Sequence, residues 1–148
     1  MAQSLDLFEI IRKEFEEEKV DIRTYSPLSL AYIGDSIYDL IIRSYVVGKG
    51  NTSNNKLHKV CTSYVSAKAQ SYIAGELLPK LSEEEASVYK RGRNSKPQSG
   101  AKNATLSEYL KATGFEALLG YLFLEGRTER LMELVKEAIR ITDERIDN

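Results

Sequence analysis

The chain has 148 residues, 42% hydrophobic and 29% charged, with a net charge of −1, three prolines, one histidine and one cysteine. That length suits a single domain with a real core. The lone Cys61 excludes an internal disulfide and a cysteine-based zinc cluster.

Few prolines and many Leu, Glu, Lys and Ala residues favour an all-α domain. No signal-peptide pattern opens the chain, which points to a reducing cytoplasm. The longest apolar run is broken by Asp35, Asp39 and Arg43, and the second by Glu116, so neither reads as a membrane span.

Charge is segregated along the chain. Leu40 to Gly75 holds no acid but carries Arg43, Lys49, Lys56, Lys59 and Lys68. Ala86 to Ser107 repeats this with Lys90, Arg91, Arg93, Lys96 and Lys102. Local fields of this kind steer a polyanion even when net charge is near zero, although two solvated basic faces give the same pattern.

Taken in order, Ser4 can cap a first helix to about Lys19, with Leu5, Phe8, Ile11 and Phe15 on one stripe. This amphipathic helix, within residues 1–20, reads as a packing or dimer element. Ser26-Pro27 starts a second helix running to Val47, with Gly48 ending it. Apolar on most faces, it should be the central, buried helix. Asp39 and Arg43 stand four apart in the acid-then-base order of a helical ion pair.

Residues 48–55 read as a loop, Lys56 to Ser63 and Ser66 to Leu78 as two helices or one kinked helix, closed by Pro79. Ser82-Glu-Glu-Glu85 is a capping box opening a helix that ends near Arg91-Gly92. Gly92 to Asn103 then reads as a mobile basic loop. A second capping box, Thr105 to Glu108, opens a helix ending near Glu125-Gly126, and Thr128 can cap the last. His58, beside lysines, reads as structural or as a solvated contact.

Two positions stand out chemically. Leu30-Ala-Tyr-Ile-Gly-Asp-Ser-Ile-Tyr-Asp39 places Asp35 in an apolar helix, and Phe115-Glu-Ala-Leu-Leu-Gly-Tyr-Leu-Phe-Leu124 places Glu116 in another. A carboxylate there is costly unless a cation or several donors stabilise it. A shared Mg²⁺ site is one answer, because Mg²⁺ takes one or two carboxylates plus water and substrate phosphate. Capping of a neighbouring helix by Asp35, or pairing of Glu116 with a buried lysine, would also do. Nucleotide-binding glycine loops and the HExxH metal motif are absent, so no nucleotide cofactor is expected. The Tyr89 to Lys96 segment suits backbone contact with an A-form duplex.

Ala31-Tyr-Ile-Gly-Asp-Ser-Ile-Tyr38 resembles the signature helix of the ribonuclease III catalytic domain, and Phe115 to Leu124 resembles that family's second acidic helix. Leu57-His-Lys, Val65-Ser-Ala-Lys-Ala-Gln70, Lys90 to Lys96 and Ala112-Thr-Gly-Phe-Glu116 resemble the Mini-ribonuclease III subgroup. The match covers roughly residues 25–140. It implies one ribonuclease III-like catalytic domain over residues 1–148, an all-helical fold, a homodimer, and Mg²⁺-dependent cleavage of double-stranded RNA. For the subgroup it implies maturation of large-subunit (23S) ribosomal RNA without a separate duplex-RNA-binding domain.

The family's catalytic, metal-binding aspartate and glutamate map onto Asp35 and Glu116. Lys56, Lys59, Lys90, Arg91, Arg93, Lys96 and Lys102 would then contact the RNA. Leu28, Ala31 and Thr113 stand where larger relatives carry acids, which makes the metal shell thinner. A non-catalytic duplex-RNA-binding or ribosome-assembly module on the same fold is the alternative.

Overall fold

The computed structural model describes residues 7–15, 21–95 and 104–147. Among these the fold is entirely helical: α1 (Leu7–Glu14), α2 (Pro27–Gly48), α3 (Asn54–Val65), α4 (Ala67–Leu77), α5 (Glu83–Arg93), α6 (Leu106–Leu124) and α7 (Thr128–Asp147). No described helix is long and apolar enough to cross a membrane.

Local sequence signals account for most boundaries. Ser26 accepts from Ser29 N at the start of α2, with Pro27 at the first helical position, where a missing N–H costs nothing. Both capping boxes form, Ser82 with Glu85 and Thr105 with Glu108. Ser66 ends α3 and caps α4 through Ala69 N, so the segment is two helices hinged at one serine. Gly48 is still helical, and Gly50 takes the positive φ of 145° that reverses the chain.

Helix α3 extends two residues beyond the Lys56–Ser63 reading at each end, and two other boundaries differ in kind. Gly92 and Arg93 belong to α5 rather than to a loop, because Gly92 is buried against α6. Thr128 is the first helical residue of α7 rather than its cap, and its Oγ1 is buried with no hydrogen-bond partner.

Helix α6 is the axle of the molecule, packed on α2, α5 and α4. Its Phe115, Leu118, Leu119 and Leu122 are fully buried, joined from α2 by Leu30, Tyr38 and Ile42. The Tyr38 ring meets Phe115 edge-on at 5.1 Å, and its hydroxyl donates to Tyr64 O at 2.9 Å, which satisfies the one polar atom it buries. Helix α7 closes the other side. Asp143 accepts from Tyr64 Oη at 2.5 Å and Tyr45 Oη at 3.3 Å.

Helix α1 contributes less burial than its stripe suggested. Phe8 packs edge-on against Phe123 at 5.3 Å and Arg12 donates to Phe123 O at 3.0 Å, but Phe15 is 77% exposed.

Candidate active site

Helices α2 and α6 cross where both carry glycine. A Cβ on Gly34 would sit 1.8 Å from the backbone oxygen of Glu116, and one on Gly120 would sit 1.9 Å from that of Leu30. Side chains at a contact set how near two helices approach, and here the backbones touch. Asp35, next to Gly34, is thereby set beside Glu116, and the two carboxyl groups share a hydrogen bond.

The pair is asymmetric. Asp35 is exposed, whereas Glu116 is half-buried. Burial pushes the Glu116 carboxyl up to about 9, the hydrogen bond and negative charge of Asp35 push it the same way, and the Gln70 amide opposes them. At neutral pH the metal-free Glu116 is therefore the proton donor to Asp35.

Glu116 faces Asp35 and Gln70 rather than a lysine, so the buried-lysine alternative does not describe it. Asp39 is bound to Arg43 at 3.0 Å, as the spacing suggested.

The donor set suits a hard divalent cation: two carboxylates that share one proton in its absence, and oxygen atoms throughout. Among the described residues no group of three or more His, Cys, Asp or Glu converges on a common point. Ala31 is buried against the core, and Thr113 spends its hydroxyl on Tyr109 O at 3.0 Å. Two of the three positions where the resemblance implies acids in larger relatives thus hold side chains committed to the fold.

The candidate RNA contacts divide into two groups. Lys56 and Lys59 are exposed along α3. Lys90 and Arg91 are exposed at the end of α5, and the half-buried Arg93 lies over the Tyr89 ring at 5.6 Å. This end of α5 is fixed close to Glu116, since a Cβ on Gly92 would meet the Gly114 Cα at 2.8 Å. Lys96 and Lys102 lie outside the described residues.

Sequence reasoning passed over the part that Gly34, Gly114 and Gly120 play in these approaches, and it read Gly92 as a helix end. Small residues at helical spacing on α2 and α6 (Gly34 and Ala31, Gly120 and Ala117) were the available signal for the crossing.

Residues 28–127 match the family model of the ribonuclease III domain. A Mini-ribonuclease 3 from Clostridium tetani is 46% identical over 142 residues, covering 93% of this chain and 94% of its own. One from Brevibacillus brevis is 47% identical over 128 residues, covering 86% of this chain and 96% of its own. The chain belongs to the Mini-ribonuclease 3 family. Membership makes it an endoribonuclease, and the sequence resemblance and the all-helical expectation both hold. A crystal structure of a Fusobacterium nucleatum protein superposes with a TM-score of 0.75 at 34% identity, covering 82% of this chain and 98% of that one.

Proposed function

We propose that this endoribonuclease cleaves double-stranded RNA with Mg²⁺, acting in maturation of 23S ribosomal RNA in the cytoplasm. The observation that carries the reading is the Asp35–Glu116 pair, held together across a glycine crossing at the cost of keeping Glu116 protonated. Such a pair is costly to ionise and is relieved by a divalent cation.

Asp35 and Glu116 are the residues that would hold Mg²⁺. When bound, the ion supplies an activated water and stabilisation of the leaving 3′-oxygen. The exposed carboxylate of Asp35 faces substrate and solvent. Half-buried Glu116 gives the site a fixed floor. Lys56, Lys59, Lys90, Arg91 and Arg93, with Lys96 and Lys102 from the segment that follows, grip the phosphate backbone without reading bases. A homodimer would set two such sites on one duplex, one for each strand. The whole chain is read as one catalytic domain, with the N-terminal helix appended to the matched region.

The test is cleavage of a structured RNA with Mg²⁺, with EDTA, and with Asp35→Asn. Cleavage should require the metal and be lost in the variant. A substrate carrying the 23S precursor stem, compared with a duplex of equal length and unrelated sequence, tests the ribosomal assignment.

A further inference from the structure

A cleft of about 250 Å³ lies where the α3–α4 hinge meets the last turns of α7. Ser63, Ser66 and Lys68 line it from the hinge side, and Thr142, Arg145 and Ile146 from α7. Its lining holds two cations and no carboxylate. The hinge wall comes from the acid-free run between Leu40 and Gly75.

Neither cation has an acid within reach on its own helix. Three and four residues from Lys68 stand Tyr64, Val65, Ser71 and Tyr72, and before Arg145 stand Ile141 and Thr142. Among the described residues neither forms an ion pair, whereas Arg130 and Arg140 of the same α7 are bound to Glu85 and Glu137. Arg145 lies over the Tyr72 ring at 4.2 Å, and Tyr72 is one turn along α4 from Lys68. One aromatic side chain thus brings both charges to the same wall. Glu108 feels both charges, but its carboxylate is spent on Thr105 N at 2.9 Å.

The hydroxyls divide the same way. Ser63 donates to Val60 O and Thr142 to Ala138 O, so their hydrogens are used within their own helices. Ser66 Oγ only accepts, from Ala69 N at 3.1 Å, and keeps its hydrogen to give. The cleft therefore offers an ammonium, a guanidinium fork and one hydroxyl donor, with room for a tetrahedral oxyanion and some of its water at ~30 Å³ each.

We propose that this cleft is a phosphate-binding subsite, in which Lys68, Arg145 and the Ser66 hydroxyl hold a backbone phosphate of duplex RNA. The proposal rests on the reading of the chain as a duplex-RNA nuclease. It adds to the grip on the backbone two cations outside the Asp35–Glu116 pair and outside the end of α5. Such contacts fix register without reading sequence.

The experiment measures duplex-RNA binding without divalent metal across a salt series, for the wild-type chain, Lys68→Ala, Arg145→Ala and Lys136→Ala. Lys136 is an exposed lysine of α7 outside the cleft and controls for net charge. Lys68→Ala and Arg145→Ala should each weaken binding by roughly 3–10-fold, the scale of one hydrogen-bonded contact. Each should also lower the salt slope by about 1. With Mg²⁺ both should raise KM and leave kcat unchanged, and Lys136→Ala should match the wild type throughout. A wild-type affinity and salt slope in folded Lys68→Ala would overturn the proposal, and so would an equal loss in Lys136→Ala. Should Arg145→Ala fail to fold without its Tyr72 contact, Lys68→Ala decides alone. A wild-type protein that binds no duplex RNA shows instead that the nuclease reading is wrong, before any cleft variant is compared.

Discussion

Gly34 lies so close to Glu116 that a Cβ would come within 1.8 Å of the Glu116 backbone oxygen, and this contact puts Asp35 beside the Glu116 carboxyl. The active-site spacing is thus a backbone property. Gly34→Ala must force α2 and α6 apart. Overpacking of this kind costs about 1–3 kcal/mol, occasionally more, and any folded fraction should cleave poorly because Asp35 has moved. Gly120→Ala should behave alike. Gly75, in α4 with nothing within 4 Å of its missing Cβ, is the control. There alanine should raise stability by about 0.5–1 kcal/mol with activity intact. Urea denaturation of the three variants checks the ranking.

The protonation of Glu116 gives a pH signature in the metal-free protein. Its folded value of about 9 stands above the ordinary 4.5. The folded state therefore binds more protons than the unfolded chain between those values, and stability falls as pH rises through that window. Glu116→Gln should remove this slope and leave the metal-free protein more stable near pH 8, by about 1–3 kcal/mol. The same variant should be inactive and gain no stability from Mg²⁺. Melting curves at several pH values, with and without EDTA, test both statements.

Glu85 behaves in the opposite way. It is buried, accepts from Arg130 at 2.8 Å through both oxygens, and caps Ser82 N at 2.9 Å. The Arg130 hydrogen bonds hold its carboxyl down near 2, below the ordinary 4.5. Its contribution is fully present above pH 4.5 and is lost as pH falls toward 2. Glu85→Gln takes the buried carboxylate from a partly exposed Arg130, which keeps Glu133 and the Lys80 carbonyl, and should cost about 2–3 kcal/mol, below the loss for a fully buried pair. Activity per folded molecule should be unchanged. Acid titration of the wild type against Glu85→Gln by circular dichroism is the check.

The cations at the end of α5 should separate by role. Arg91 is exposed and on the proposed reading meets phosphate, so Arg91→Ala should weaken duplex-RNA binding and lower the salt slope by about 1, with little change in stability. Arg93→Ala also loses the contact with Tyr89 and should lower stability by a further ~0.5–1 kcal/mol. Filter binding across a salt series, beside thermal melts, distinguishes the two.

The Ser26, Ser82 and Thr105 caps and the Asp39–Arg43 pair were legible because each depends on residues within one or two turns. Asp35 and Glu116 were legible as chemical anomalies in apolar helices, and the family motifs linked them. The extent of α5 was not, because Gly92 looks like a helix terminator until Gly114 is packed against it. Thr128 shows the converse case, a good cap residue placed one position inside its helix.

The central claim is that Asp35 and Glu116 form a metal-dependent cleavage site for duplex RNA. Single-turnover cleavage of a duplex RNA by wild-type protein and Asp35→Asn, each with Mg²⁺ and then with EDTA, tests it most directly. The wild type should cut only with Mg²⁺, and Asp35→Asn should bind the duplex yet lose cleavage by at least about a hundredfold, the scale of removing one group that stabilises the transition state. Undiminished cutting by Asp35→Asn, or cutting that persists in EDTA, would contradict the claim.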